Sequence, residues 1–157
     1  MLRRVLIAAA ATSAFIAVAV ADTPSHDVLD TPAVKSPLAV RALVNGLTIA
    51  GTRIIAVGQR GHVLLSDDAG KSWQQAEVPV SSDLVAVAFP SANTGWAVGH
   101  DGVVLHSTNA GGRWIRQLDG HRAGSVMVDY YSRETAGGDS KRAAFLEEAK
   151  RFAAQGA

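Results

Sequence analysis

The sequence contains no cysteine. Disulfides, thiolate metal sites and a lipid-modified N-terminal Cys are therefore excluded, and the core alone must hold the fold. A surplus of charge is missing too: 15 Lys and Arg stand against 14 Asp and Glu. Near-neutrality gives no electrostatic case for nucleic acid or an anionic membrane as partner. There is no Gly-x-Ser-x-Gly elbow, no phosphate loop and no dinucleotide fingerprint. The five histidines, His26, His62, His100, His106 and His121, include no close pair of zincin type. No metal site, no cofactor and no catalytic residue is assigned on these grounds.

Long apolar runs are scarce, with one exception. After Met1-Leu2-Arg3-Arg4 the chain is apolar from Val5 to Ala21, broken only by Thr12 and Ser13. The run closes on Ala19-Val20-Ala21, ahead of Asp22-Thr23-Pro24. A basic start, an apolar middle and an Ala-x-Ala end describe a secretory signal peptide, with cleavage expected after Ala21. Export to the periplasm or an equivalent compartment follows. Cleavage removes two arginines and no acidic residue, leaving 13 basic against 14 acidic side chains, a formal charge of −1.

What is present is a repeat. "AVGQRGHVLLSDDAGKSW" (Ala56–Trp73) and "AVGHDGVVLHSTNAGGRW" (Ala97–Trp114) lie 41 residues apart and agree at ten of eighteen positions. A period near ~40 residues with strand-like segments is the length of a four-stranded propeller blade. In the second copy, strands are predicted at Leu84–Phe89, Trp96–Val98, Val103–Ser107 and Trp114–Gln117. In the first they fall at about Leu43–Ile49, Arg53–Val57, His62–Ser66 and Trp73–Ala76. The fold class is all-β: two blades over 41–118, preceded by a linker at 22–40 and followed at 119–157 by a helical hairpin, an insertion between blades or a truncated tail.

Both copies carry Ser-x-Asp/Asn-Ala-Gly-x-x-Trp: Ser66, Asp68, Gly70 and Trp73, then Ser107, Asn109, Gly111 and Trp114. Each residue type has a folding reason. Ser and Asp side chains bond nearby backbone N–H groups and fix a turn. Glycine tolerates a left-handed backbone. The Trp starts the next strand and buries a large apolar surface. Asn109 in place of Asp68 still makes the turn but could not act as a carboxylate acid or base. The motif therefore reads as structural. The hairpin residues Gln59-Arg60 and His100-Asp101 align with each other, share one rim and are the candidate binding positions.

These strings resemble the Asp-box, or BNR, repeat of sialidase-like propellers and of photosystem II stability/assembly factor-like proteins. "VGQRGHVLLSDDAGKSW" and "GWAVGHDGVVLHSTNAGGRW" are most similar to the second group. The resemblance implies a propeller that binds protein partners, such as a membrane complex under assembly, without catalysis. A carbohydrate-binding or sialidase-like propeller is the alternative. Tyr130-Tyr131 with Arg133-Glu134 has the composition of a sialidase nucleophile site, but lies outside the blades.

Beyond Asp119-Gly120 the composition turns rich in Ala, Glu, Lys and Arg. Asp139 or Ser140 is a suitable cap for a helix with Phe145, Ala149, Phe152 and Ala153 on one face, Glu147 paired to Arg151 and Gly156 as its stop. Val126, Met127, Tyr130 and Tyr131 predict a shorter helix before it, separated by Gly137-Gly138. Two blades cannot close a ring, since propellers use about four to eight. The expectation is that further blades of a longer protein, or further copies of this chain, complete it.

Overall fold

The computed structural model describes residues 26–135 and 140–155. The apolar leader, Gly137, Gly138, Asp139 and Gly156 lie outside them. The chain forms two four-stranded antiparallel sheets in meander order. The first contains β1 (Val44–Ala50), β2 (Arg53–Gly58), β3 (Val63–Ser66) and β4 (Gln74–Gln75). The second contains β5 (Leu84–Ala88), β6 (Gly95–Gly99), β7 (Val104–Ser107) and β8 (Ile115–Leu118). Two helices follow, α1 (Gly120–Thr135) and α2 (Ser140–Gln155). All eight strands fall within two residues of the sequence expectation.

The repeat is also a repeat of register. Ile54 to Val57 pair with Ser66 to Val63, as Gly95 to Val98 pair with Ser107 to Val104. Each blade bulges at the start of its first strand, between Val44 and Gly46 and between Leu84 and Ala86. Side chains alternate between sheet faces, so each blade presents one face to each neighbouring blade position. Ile55, Val57, Val63 and Leu65 leave blade 1 on the side of blade 2. There they share one core with Ala97, Leu105 and Trp114 of blade 2, against which Val87 and Phe89 also pack. Phe89 meets the Trp114 ring edge-on at 5.7 Å. Burial of β-branched and aromatic side chains between two sheets is the main force joining the blades.

The segment expected to be a linker is packed against the blades. Leu29 is buried in the shared core. The Ala33 N–H bonds to the Val78 carbonyl and the Ser81 N–H to the Val28 carbonyl. Arg116 reaches back to the Leu29 carbonyl and Asp30. A short 3-10 turn, Ala39–Arg41, then places Ala39 on the opposite face of blade 1, over Ala56 and Leu64 and beside Trp73.

The helices pack chiefly on each other. The pivot is a close approach: a Cβ on Gly124 would lie 2.6 Å from the Ala153 Cα. Ala149 is fully buried and Tyr131 stacks on Phe145. Asp119 starts α1, accepting the Arg122 N–H at 2.9 Å and pairing with Arg116 at 3.0 Å. Two details differ from the sequence reading. The first helix is as long as the second, because the Asp119 cap starts it at Gly120. Glu147 pairs with Lys150 at 2.8 Å and Arg151 with Glu148, so the ion pairs close at i,i+3 rather than between Glu147 and Arg151.

Candidate functional site

The geometry of the Asp-box turns decides whether they are chemistry or scaffold. Ser66 Oγ accepts the Gly70 N–H at 2.8 Å and donates to Asp68 Oδ1 at 2.9 Å. Asp68 Oδ1 also accepts the Ser72 N–H at 2.8 Å, and Oδ2 accepts the Ser72 hydroxyl at 2.6 Å. The Trp73 indole N–H closes the turn on the Gly70 carbonyl. The second copy repeats this: Ser107 Oγ accepts from Gly111, Asn109 Oδ1 accepts from Arg113, and the Trp114 indole bonds the Gly111 carbonyl. The Ser72 hydroxyl and N–H, with Ser66, hold the Asp68 carboxyl down at about 2. A carboxylate so bound is ionised and committed to its turn, a poor proton donor near neutrality.

Both turns adopt left-handed backbone at Ala69 and Gly70, and at Ala110 and Gly111. The alanines are a feature the sequence reading missed. The two tryptophans differ in role. Trp114 is 3% exposed inside the shared core, whereas Trp73 is half-buried under the Ala39 turn.

The four rim residues separate into two kinds. Asp101 Oδ2 accepts the Ser82 hydroxyl at 2.6 Å, the Asp101 carbonyl accepts the Gly120 N–H at 2.7 Å, and the His100 carbonyl also accepts from Ser82. That hairpin fastens the start and end of blade 2. Gln59 and Arg60 instead line an open cavity of about 800 Å³ between the N-terminal arm and blade 1. Val28, Val34 and Leu38 form its apolar wall, and Arg41 and His62 join Arg60 at its polar side. Among the described residues neither Arg41 nor Arg60 has an ion-pair partner.

Several contacts hold this hairpin rigid. Arg60 sits at φ 55°, uncommon for a long side chain. Its N–H bonds Asp83 Oδ1 at 2.8 Å. Gly61 follows at φ 69°, and a Cβ there would lie 2.1 Å from the Val80 carbonyl oxygen. His62 is half-buried, with Nδ1 out of solvent and without a hydrogen-bond partner among the described residues. Burial, and then the Arg60 charge, push its pKa down, so it is neutral at pH 7. Blade 2 has Asp101 and Val103 where blade 1 has Arg60 and His62, so the cationic cavity breaks the repeat.

Asp27, Asp30 and His121 bring three exposed ligand atoms within 4.8 Å of one another. Asp27 contacts His121 at 3.1 Å, and Arg116 pairs with Asp30 at 3.4 Å. The guanidinium already supplies the countercharge a cation would bring. The sequence could not show this grouping, since the arm and α1 are some 90 residues apart.

A family profile described as photosynthesis system II assembly factor YCF48 matches residues 45–126. The chain belongs to this family. The match spans both blades and the start of α1, and the family's BNR repeats are the Asp-box turns described above. No curated protein matches the chain at a significant level. Among solved structures, the chain is similar to "YCF48 bound to D1 peptide", with 24% identity and a TM-score of 0.45 over 50% of this chain and 27% of that one. It is similar to YCF48 from Cyanidioschyzon merolae at 24% identity and TM-score 0.45, over 49% and 27% of the two chains. It is also similar to an ancestral GH74 enzyme, at 24% identity and TM-score 0.43, over 52% and 14%. The chain thus spans about a quarter of the length of the YCF48 structures it matches.

Proposed function

We propose that this chain is an exported, non-catalytic protein-binding module that assists assembly of a membrane complex. An extended segment of the partner lies in the cavity between the N-terminal arm and the Gln59–His62 hairpin. Membership of the assembly-factor family supports the class of function. The observation that carries the site is the pair of arginines, Arg41 and Arg60, lining a partly apolar cavity with no ion-pair partner among the described residues. An unpaired cation beside an apolar wall favours a segment that carries a carboxylate and apolar side chains. The Asp-box carboxylate is not part of this reading, since Ser66 and Ser72 occupy it. Export rests on the basic-apolar-Ala-x-Ala leader, and Asp22 is then the first residue of the mature chain.

The test is calorimetric titration of the chain with two extended peptides of equal length and apolar content, one acidic and one neutral. The acidic peptide should bind at least tenfold more tightly. Arg60→Asn, which keeps a residue tolerant of left-handed backbone while removing the charge, should erase most of that difference. Equal affinities, or strong selective binding on a glycan array in place of peptide binding, would overturn the reading.

A further inference from the structure

Among the described residues, the face of blade 2 that points away from blade 1 is open, with Ile115 64% exposed. Register places Trp96, Val98, Val104, His106 and Ile115 together on it. Trp96 stacks on His106 at 4.7 Å and bonds Gln117, so the patch is ordered side chain to side chain. None of the five is an acidic residue, a lysine or an arginine. His106 Nε2 is out of solvent with no hydrogen-bond partner among the described residues. In blade 1 the positions equivalent to Trp96, Val98, Val104 and His106 are Ile55, Val57, Val63 and Leu65, all buried against blade 2.

The molecule itself shows what covers such a face. In the internal contact, the covering surface is Val87, Phe89, Ala97, Leu105 and Trp114. The equivalent residues on the far side of blade 1 are Leu47, Ile49, Ala56, Leu64 and Trp73, of which Ala56 and Leu64 are covered by the Ala39 turn. There Leu47 is 61% and Ile49 60% exposed. We infer that two copies of this chain associate head to tail, the open face of blade 2 in one copy receiving the Leu47–Ile49 face of blade 1 in the next, by the packing that already joins the two blades.

The contact is heterologous, because the two surfaces are different. The Ala39 turn holds the place of the incoming blade over Ala56 and Leu64. Within the turn, the Ala39, Arg41 and Ala42 N–H groups all bond carbonyls three residues back. Seating the next copy requires the turn to lift off, which keeps these bonds and exchanges the Ala39 contact with Ala56 and Leu64 for the incoming blade. Because the turn carries Arg41, lifting it displaces one lining residue of the Arg41–Arg60 cavity. The association is nevertheless tested on its own surfaces, Trp96 and Leu47, which do not line that cavity.

The heterologous geometry gives a specific test by sedimentation velocity of the full chain. The wild-type chain should form species larger than the monomer as concentration rises. Trp96→Asp and Leu47→Asp each remove one of the two mating surfaces and should each be monomeric. Mixed one to one, they should form a heterodimer, since the Leu47→Asp copy keeps its Trp96 face and the Trp96→Asp copy keeps its Leu47 face. Circular dichroism verifies folding of each variant; Trp96→Gln and Leu47→Gln replace any that unfolds. A wild-type chain monomeric at hundreds of micromolar overturns the inference. So does a mixture that stays monomeric, or a Leu47→Asp chain that self-associates like wild type, which would mean that two blade 2 faces meet each other.

Discussion

Ile55 and Trp96 occupy the same place in the two copies of the repeat, yet Ile55 is 0% exposed and Trp96 is 37% exposed. Among the described residues, one blade has a neighbour on that side and the other does not. Equivalent residues in unequal surroundings make the repeat its own control, and several expectations rest on that comparison.

The motif tryptophans should differ in energetic weight. Trp114→Ala removes a ring enclosed by Phe89 and the shared core, and should cost about 3–5 kcal/mol. Trp73→Ala removes a half-buried ring and should cost roughly half as much. Urea unfolding of the two variants measures both. Equal losses would mean that blade 1 is as enclosed as blade 2.

The motif glycines should differ for a separate reason. Both adopt positive φ, so alanine is strained at either, by about 1 kcal/mol. A Cβ on Gly70 meets nothing closer than the Trp73 ring at 3.8 Å, whereas on Gly111 it lies 2.9 Å from Ile55 Cδ1. Gly111→Ala should therefore destabilise by about 1–3 kcal/mol more than Gly70→Ala, the cost of overpacking between blades. Chemical denaturation that finds the two variants equally stable would contradict the blade contact.

Acid sensitivity should trace in part to Asp68. Its folded value of about 2 lies below the ordinary 3.8. Its contribution to stability is therefore complete above about pH 4 and is lost as pH falls toward 2. Asp67, lowered by its hydrogen bond from Arg53, acts in the same direction. Asp68→Asn copies the second blade, where Asn109 makes the same turn. The variant should fold, and its stability should fall less steeply between pH 4 and pH 2 than that of wild type. An unchanged slope would show that the Ser66–Asp68–Ser72 bonds do not persist in solution.

The strands and turns were legible because their causes are local. Alternating apolar residues, glycines at hairpins and Ser-x-Asp/Asn turns each act within a few residues, and the duplicated string supplied an internal alignment. The arm was not legible. Leu29 and Ala39 look like any apolar residues of a linker, and only the blade surfaces they cover give them places. Gln59 and Arg60 could be nominated from sequence because they lie in a hairpin. Arg41 and His62 could not, because the cavity joins an arm to a blade. The string does not say which of the two hairpins, Gln59-Arg60 or His100-Asp101, is already engaged by the rest of the chain. The structure does, through the Ser82 hydroxyl that occupies Asp101. One signal lay in the string: the charge reverses from Arg60 to its counterpart Asp101 inside an otherwise similar repeat.

The central claim is that a partner segment lies between the arm and the first hairpin. The most direct measurement is an amide and side-chain NMR titration of the chain with an acidic, partly apolar peptide. The account predicts shifts concentrated at Val34, Arg41, Arg60 and His62. It also predicts that the depressed His62 pKa rises when the peptide's carboxylate offsets the Arg60 charge. Shifts centred on the Asp-box turns at Ser66–Trp73 and Ser107–Trp114, with the cavity residues unmoved, would contradict it.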